Sequence, residues 1–396
     1  MENMSIDYHT FSIGYHTFTV FTGVEYERAE GIRKAFERYS QVNNNIKYYP
    51  EGKKVKILFQ DGTPKDVFNK YKAKYYIGDH CPVKWLVRFC NHRKDLNFFY
   101  IEATINPKIL LGIIDYTNAS DQSYLLGICG KYNSIIKEIS DLIPEFKWYI
   151  PNRIDYCFNC DITHAAFGCN GKQMMKLIKR SDIPHPYKEY PPKYDKETHR
   201  REDTTYSHYL INDSVNINCY WKSKEQLKKH PDRKIPSENI IRFEVQCKYS
   251  KMYALRQNIK KDAPERFLPN FLLTSRLLAD ELSKQELRKY FNRIIKPGNY
   301  YRLKDAIRLI NEKENLHAAT KTKLIDILKL VDELEAIPNA RKYFISSGKN
   351  KMETDDLRAE FNGLLRHLAN LGINPVTIPE RWRISFIPGI MTVHDF

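Results

Sequence analysis

No stretch of the chain stays apolar for the ~18–20 residues that a membrane-spanning helix needs, so the sequence offers no transmembrane segment. The opening residues, Met1-Glu2-Asn3-Met4-Ser5, lack the basic-then-apolar order of a secretory signal. A cytoplasmic protein is therefore expected. No internal repeat and no low-complexity tract is present. The Gly-rich phosphate loop of nucleotide-driven proteins is missing. So are a Ser-His-Asp signature and any His-x-His pair. These absences take most of the support from ATP-driven and hydrolase readings.

What is present is charge of one sign. The chain carries 64 Lys+Arg against 48 Asp+Glu, a net +16 spread along 396 residues. A basic globular surface attracts polyanions, and nucleic acid is the commonest. The same charge also serves solubility alone. The 27 Tyr and 20 Phe could stack exposed bases or fill a core. Apolar residues at 42% and charged residues at 28% are enough for a folded chain. The length suggests two or three domains.

Eight cysteines are scattered between residues 81 and 247. Cys90, Cys157, Cys219 and Cys247 sit in strand-like apolar stretches, where a reduced thiol acts as a small hydrophobe. Cys157, Cys160, His164 and Cys169 have zinc-type spacing. Yet Cys157 and Cys160 fall in a strand-like segment, where residues three apart point to opposite faces. That geometry speaks against zinc.

Alternation and turn residues predict strands over 11–24, 54–60, 85–90, 98–105, 153–160, 215–221 and 240–248, with an Asp61-Gly62 turn after the second. Helical spacing covers 25–38, 122–143, 171–179 and 222–230, and Pro144 ends the second of these. Residues 181–201, rich in Pro, Lys and His, read as a loop. From about 275 the pattern is helical, over 282–295, 303–311, 322–337 and 356–371, and Gly372 makes a C-cap. The expected organisation is an α+β domain over 1–260 and a helical domain over 261–396.

Three strands carry an acid at period two. Arg153 and Asp155 share a face opposite Ile154, Tyr156 and Phe158. Arg242 and Glu244 share a face opposite Ile241, Phe243 and Val245. Glu102 points away from Ile101 and Ala103. Carboxylates gathered on one sheet would repel unless a hard cation such as Mg2+ or Mn2+ bound them. The alternative is a set of ion-pair ladders on a solvated face. A fourth strand, Val215-Asn216-Ile217-Asn218-Cys219-Tyr220-Trp221, sets Tyr220 on its polar side, with Lys222 two residues on. A nucleophilic tyrosine needs an exposed oxygen, a metal to polarise the phosphate and a cation to stabilise charge. Tyrosines on polar strand faces are also common.

In order, these pieces resemble the filamentous-phage replication initiators and their plasmid relatives, a branch of the rolling-circle initiators. The resemblance begins at the acid-bearing strand Phe99-Tyr100-Ile101-Glu102 and its Asn106-Pro107-Lys108 turn. It continues through Arg153-Ile154-Asp155, Tyr220-Trp221-Lys222 with Glu225 and His230 just after, and Arg242-Phe243-Glu244. It covers residues 99–248, is weak before 99 and thin after 260. The wider endonuclease superfamily usually binds metal through a His-hydrophobic-His pair, which this chain lacks.

The resemblance implies an HUH-endonuclease-like antiparallel sheet flanked by helices. It implies that Tyr220 attacks origin DNA at a single-stranded or hairpin site and forms a 5′-phosphotyrosyl link. Asp155, Glu244 and Glu102 would replace the histidines in holding Mg2+ or Mn2+, and Lys222 would stabilise phosphate charge or lower the tyrosine pKa. Host helicase and polymerase would be its partners.

Arg153, Arg242, Lys193, Arg200, Arg201, Lys224, Lys228 and Lys229 are candidates for contacts to DNA phosphates, with a solvated charged face as the alternative. The C-terminal helices read equally as a duplex-binding part, a packed bundle or a self-association surface. A relaxase or transposase of the same superfamily, and a non-catalytic DNA-binding copy-control protein, are the rival functions.

Overall fold

The computed structural model describes residues 11–58, 63–90, 98–113, 118–163, 166–192, 194–195, 200–201, 204–229, 231–232, 235, 237–262 and 268–390. The predicted Asp61-Gly62 turn lies outside them. The chain divides into two compact units, each assembled from separated segments. The first holds Ile13–Cys157 and Gln246–Ser283; the second is built mainly from Phe158–Val245 and Lys284–Phe396. The single boundary expected near residue 260 is therefore replaced by an interleaved arrangement. Composition shifts mark where helices begin, whereas strand pairing joins segments that are distant in sequence.

The chain opens with β1 (Phe11–Glu25), α1 (Tyr26–Val42), β2 (Ile46–Tyr49), β3 (Lys54–Leu58), β4 (Pro64–Phe68), β5 (Lys70–Ile77), β6 (His80–Cys90) and β7 (Phe98–Ile105). Next come α2 (Pro107–Leu110), α3 (Leu125–Ile139) and β8 (Ile150–Asp161), whose residues after Cys157 belong to the second unit. In the first unit the strands lie in the order β2-β5-β6-β7-β1, all antiparallel. Period-two alternation sends Tyr71, Ala73, Val83, Trp85, Ile101 and Ala103 into the core.

Helices cover that apolar face. Phe36 of α1 lies 5.3 Å from Trp85. The Trp85 indole donates to the Tyr132 hydroxyl of α3 at 3.0 Å. That hydroxyl donates on to Tyr149 at 2.9 Å, so the polar tips of three buried rings satisfy one another.

The second unit continues with α4 (Gly171–Ile178), β9 (Lys188–Glu189), β10 (Tyr194–Asp195), β11 (Arg200–Arg201), β12 (Ser207–Ile211), β13 (Val215–Trp221), α5 (Lys222–Lys229) and β14 (Ile240–Cys247). The end of β8 is followed by β14, β13, β12 and β9 as neighbours. The loop predicted over 181–201 thus contains short strands, and β9 pairs antiparallel with β12.

α6 (Tyr249–Lys261) and α7 (Asn270–Leu277) return to the first unit, and α8 (Asp280–Ile294) leads back into the second. There α9 (Leu303–Asn311), α10 (Ala318–Glu333), α11 (Ile337–Ile345) and α12 (Lys351–Asn370) follow in order. Phe158 and Phe243 stack at 5.6 Å, and Phe291 of α8 meets Phe243 edge-on at 5.3 Å. The fold is mixed α+β, with antiparallel sheet flanked by helices. Among the described residues no helix is long and apolar enough to cross a membrane.

Candidate active site

β13 places Tyr220. Val215, Ile217 and Cys219 are buried, while Asn216 and Asn218 are partly exposed, as alternation predicts. Tyr220 falls on the polar side, but that side is covered as well, and the residue is only 9% exposed. The exposed oxygen expected from the sequence is therefore not what the fold provides. Its hydroxyl donates instead to Glu244 Oε1 on β14 at 2.8 Å. Burial, and then the Glu244 charge, hold the phenol well above its ordinary pKa of 10.0. Removing that proton needs a base.

Lys222 begins α5, directly after β13. It is buried, and its Nζ stands 5.7 Å from the centre of the Tyr220 ring. Nζ also donates to Glu225 Oε2 at 2.7 Å, and Gln226 donates to the same oxygen at 3.1 Å. Desolvation, then the charge of Arg242, push the ammonium down to about 8. Burial is the largest influence on both groups, raising the phenol and lowering the ammonium.

The sequence offers Arg242 as a DNA contact, or as half of an ion-pair ladder on a solvated face. It is 2% exposed, since both faces of β14 are covered. Its Nε donates to Asn159 Oδ1 at 2.6 Å, and its Nη1 lies 3.7 Å from Glu244 Oε1. Asn159, Arg242, Glu244 and Tyr220 thus form one buried polar chain within the second unit. Asn159 is the member that sequence reasoning missed. It continues the period-two row of Arg153 and Asp155 along β8, which was the available signal.

The remaining acids lie in the first unit. Arg153 grips Asp155 with two hydrogen bonds, Nε to Oδ1 at 2.8 Å and Nη2 to Oδ2 at 2.9 Å. That is the ion-pair ladder the sequence left open. Glu102 lies on β7, an interior strand between β6 and β1, and Arg88 Nη2 binds its Oε1 at 2.6 Å.

The site expected to hold Mg2+ or Mn2+ was Asp155, Glu244 and Glu102. Among the described residues no group of three His, Cys, Asp or Glu could hold a metal ion. Each of these carboxylates already meets an arginine, and Glu244 a phenol as well. A hard cation at any one of them would have to displace that partner.

Lys224 and Lys228 of α5 are exposed, as a phosphate-contacting face requires. Arg200 and Arg201 form β11, but their side chains, like that of Lys229, lie outside what is described. Lys193, His164 and His230 lie outside the described residues. Cys157 and Cys160 are buried free thiols, and burial pushes Cys160 well above its ordinary pKa.

No protein-family model and no curated protein matches the chain. Among solved structures, a rolling circle replication initiator protein from Geobacillus stearothermophilus is similar over 64% of this chain and 80% of its own, at 11% identity and a TM-score of 0.28. A TM-score of that size does not establish a shared architecture.

Proposed function

We propose that this chain is a rolling-circle replication initiator that nicks and rejoins single-stranded DNA at an origin, with Tyr220 as the nucleophile. One observation carries the reading: the Tyr220 hydroxyl donates to the Glu244 carboxylate at 2.8 Å. The pair has the geometry of a nucleophile and its general base.

In the reaction the Tyr220 oxygen bonds to phosphorus and its proton passes to Glu244. The bond from phosphorus to the 3′-oxygen breaks, and that oxygen takes up a proton from solvent. The 5′ end stays on the protein as a phosphotyrosyl ester, which keeps the phosphodiester energy for rejoining. The free 3′-OH then serves a host polymerase. Lys222 supplies positive charge beside the ring, and Lys224 and Lys228 meet the DNA backbone. No step is assigned to an ion.

The test uses a labelled origin oligonucleotide. Wild-type protein should form a covalent adduct, and Tyr220→Phe should not. An adduct with Tyr220→Phe would refute the assignment.

One observation favours a second reading, a non-catalytic DNA-binding copy-control protein. The Tyr220 side chain is buried, as in a structural tyrosine. Tight origin binding by wild type with no adduct would select that reading.

A further inference from the structure

We propose that the open face of the first unit's sheet binds single-stranded DNA through a row of lysines that crosses β2, β5 and β6. Register brings them together: Lys47 stands opposite Lys74, and Lys74 opposite Lys84. Directly opposed residues on an antiparallel sheet share a face, with neighbouring strands about 4.8 Å apart. Three ammonium groups therefore lie side by side. Lys47 and Lys84 are exposed and Lys74 partly so. Among the described residues no ion pair gives any of the three a carboxylate.

An acid, Glu51, lies within electrostatic range of Lys74 but is bound by other lysines. Glu51 pairs with Lys72 at 2.5 Å and reaches Lys70 at 3.8 Å. Lys70, Lys72 and Lys74 alternate with buried Tyr71 and Ala73, so they point outward about 6.8 Å apart along β5. Like charges placed opposite one another destabilise a sheet. A polyanion laid across the row would remove that repulsion.

Aromatic rings stand within the row. Lys47 Nζ is 5.0 Å from the Tyr76 ring centre and Lys74 Nζ is 4.8 Å from that of Tyr49. Both rings are partly exposed. Cations along a strand with rings between them are what binds an unpaired strand, because phosphates meet lysines and bases find π-faces. A paired duplex hides its base faces, so the rings favour the single strand.

The charge row itself is independent of Tyr220; only the choice of DNA over RNA rests on the proposed function. The test measures fluorescence anisotropy of a labelled oligothymidylate, and of a duplex of equal length, with the full chain across a salt series. Combining Lys47→Ala, Lys74→Ala and Lys84→Ala should weaken single-strand binding and lower the log–log salt slope by about 2, at about 0.7 for each lost contact. The corresponding triple replacement by Arg keeps the charge and should keep the slope.

The Ala variant loses a repulsion and two cation–π contacts together, so its melting temperature at low salt should stay close to that of wild type. Oligothymidylate binding is read by anisotropy alone, with no adduct step, so failure of the nicking chemistry and failure of this surface are read separately. Unchanged affinity and slope in the Ala variant would overturn the proposal. So would a loss confined to the duplex.

Discussion

Tyr220 and Glu244 share one hydrogen bond, 2.8 Å from the phenol oxygen to Oε1, inside a protein interior that leaves them 9% and 4% exposed. A resting phenol held well above its ordinary pKa is a poor nucleophile. The pairing makes sense catalytically if Glu244 removes the proton as the new bond forms. Glu244→Gln keeps the shape and an acceptor oxygen but cannot take the proton. Its single-turnover rate of adduct formation should fall about 10²- to 10⁴-fold, the usual worth of a general base, with DNA binding retained. An unchanged rate would remove Glu244 from the chemistry.

If nicking needs the Lys222 charge, activity and stability should move in opposite directions with pH. Its ammonium falls from the ordinary 10.5 to about 8 in the folded chain. Activity that needs this charge is full below about pH 8 and declines above it. Between about 8 and 10.5 the unfolded chain holds a proton that the folded chain has lost, so stability rises over that window. Denaturant melts of wild type and Lys222→Met across this range should show wild type gaining stability relative to the variant. Parallel pH profiles for the two proteins would contradict the placement.

Arg242 is the cation nearest Glu244 among the pairs described, with Nη1 3.7 Å from Oε1 and Nε held by Asn159 at 2.6 Å. Arg242→Met leaves a buried carboxylate without its partner charge, and should cost about 3–5 kcal/mol of unfolding free energy. Adding Glu244→Gln removes the stranded charge and should recover much of that loss. Urea titration of the single and double variants checks both effects. A double variant as unstable as Arg242→Met would show that the pair does not act as a unit.

Gly171 lets Trp221, the neighbour of Tyr220, pack. A Cβ at this position would lie within 2.7 Å of three indole atoms of Trp221, whose Nε1 is fixed by the Glu238 carbonyl at 2.7 Å. Gly171→Ala should therefore destabilise by about 1–3 kcal/mol through overpacking, visible as a lower melting temperature. Unchanged melting would mean that Trp221 moves freely.

Much of this was legible in the sequence because alternation is a local signal. β13 forms over Val215–Trp221 and α9 over Leu303–Asn311, as their spacing predicts. β5 was missed because Lys70, Lys72 and Lys74 make an apolar strand face look like a polar segment. Burial was the harder question. Arg153 and Asp155 do form the ladder that their period-two spacing permits. Arg242 has the same spacing to Glu244, yet lies inside, because a strand's polar face is solvated only if nothing else packs on it. Tyr220 shows the same limit: its side of β13 was readable, its cover was not. Register was equally hidden, and with it the row of Lys47, Lys74 and Lys84.

The most direct measurement of the central claim is peptide mapping of the covalent adduct. Wild-type protein is incubated with labelled single-stranded origin DNA, digested with nuclease and protease, and sequenced by mass spectrometry. The predicted result is a nucleotide mass on the peptide containing Tyr220, joined through its phenol oxygen. A nucleotide on any other residue, or no adduct under conditions where the protein binds its origin, would contradict the account.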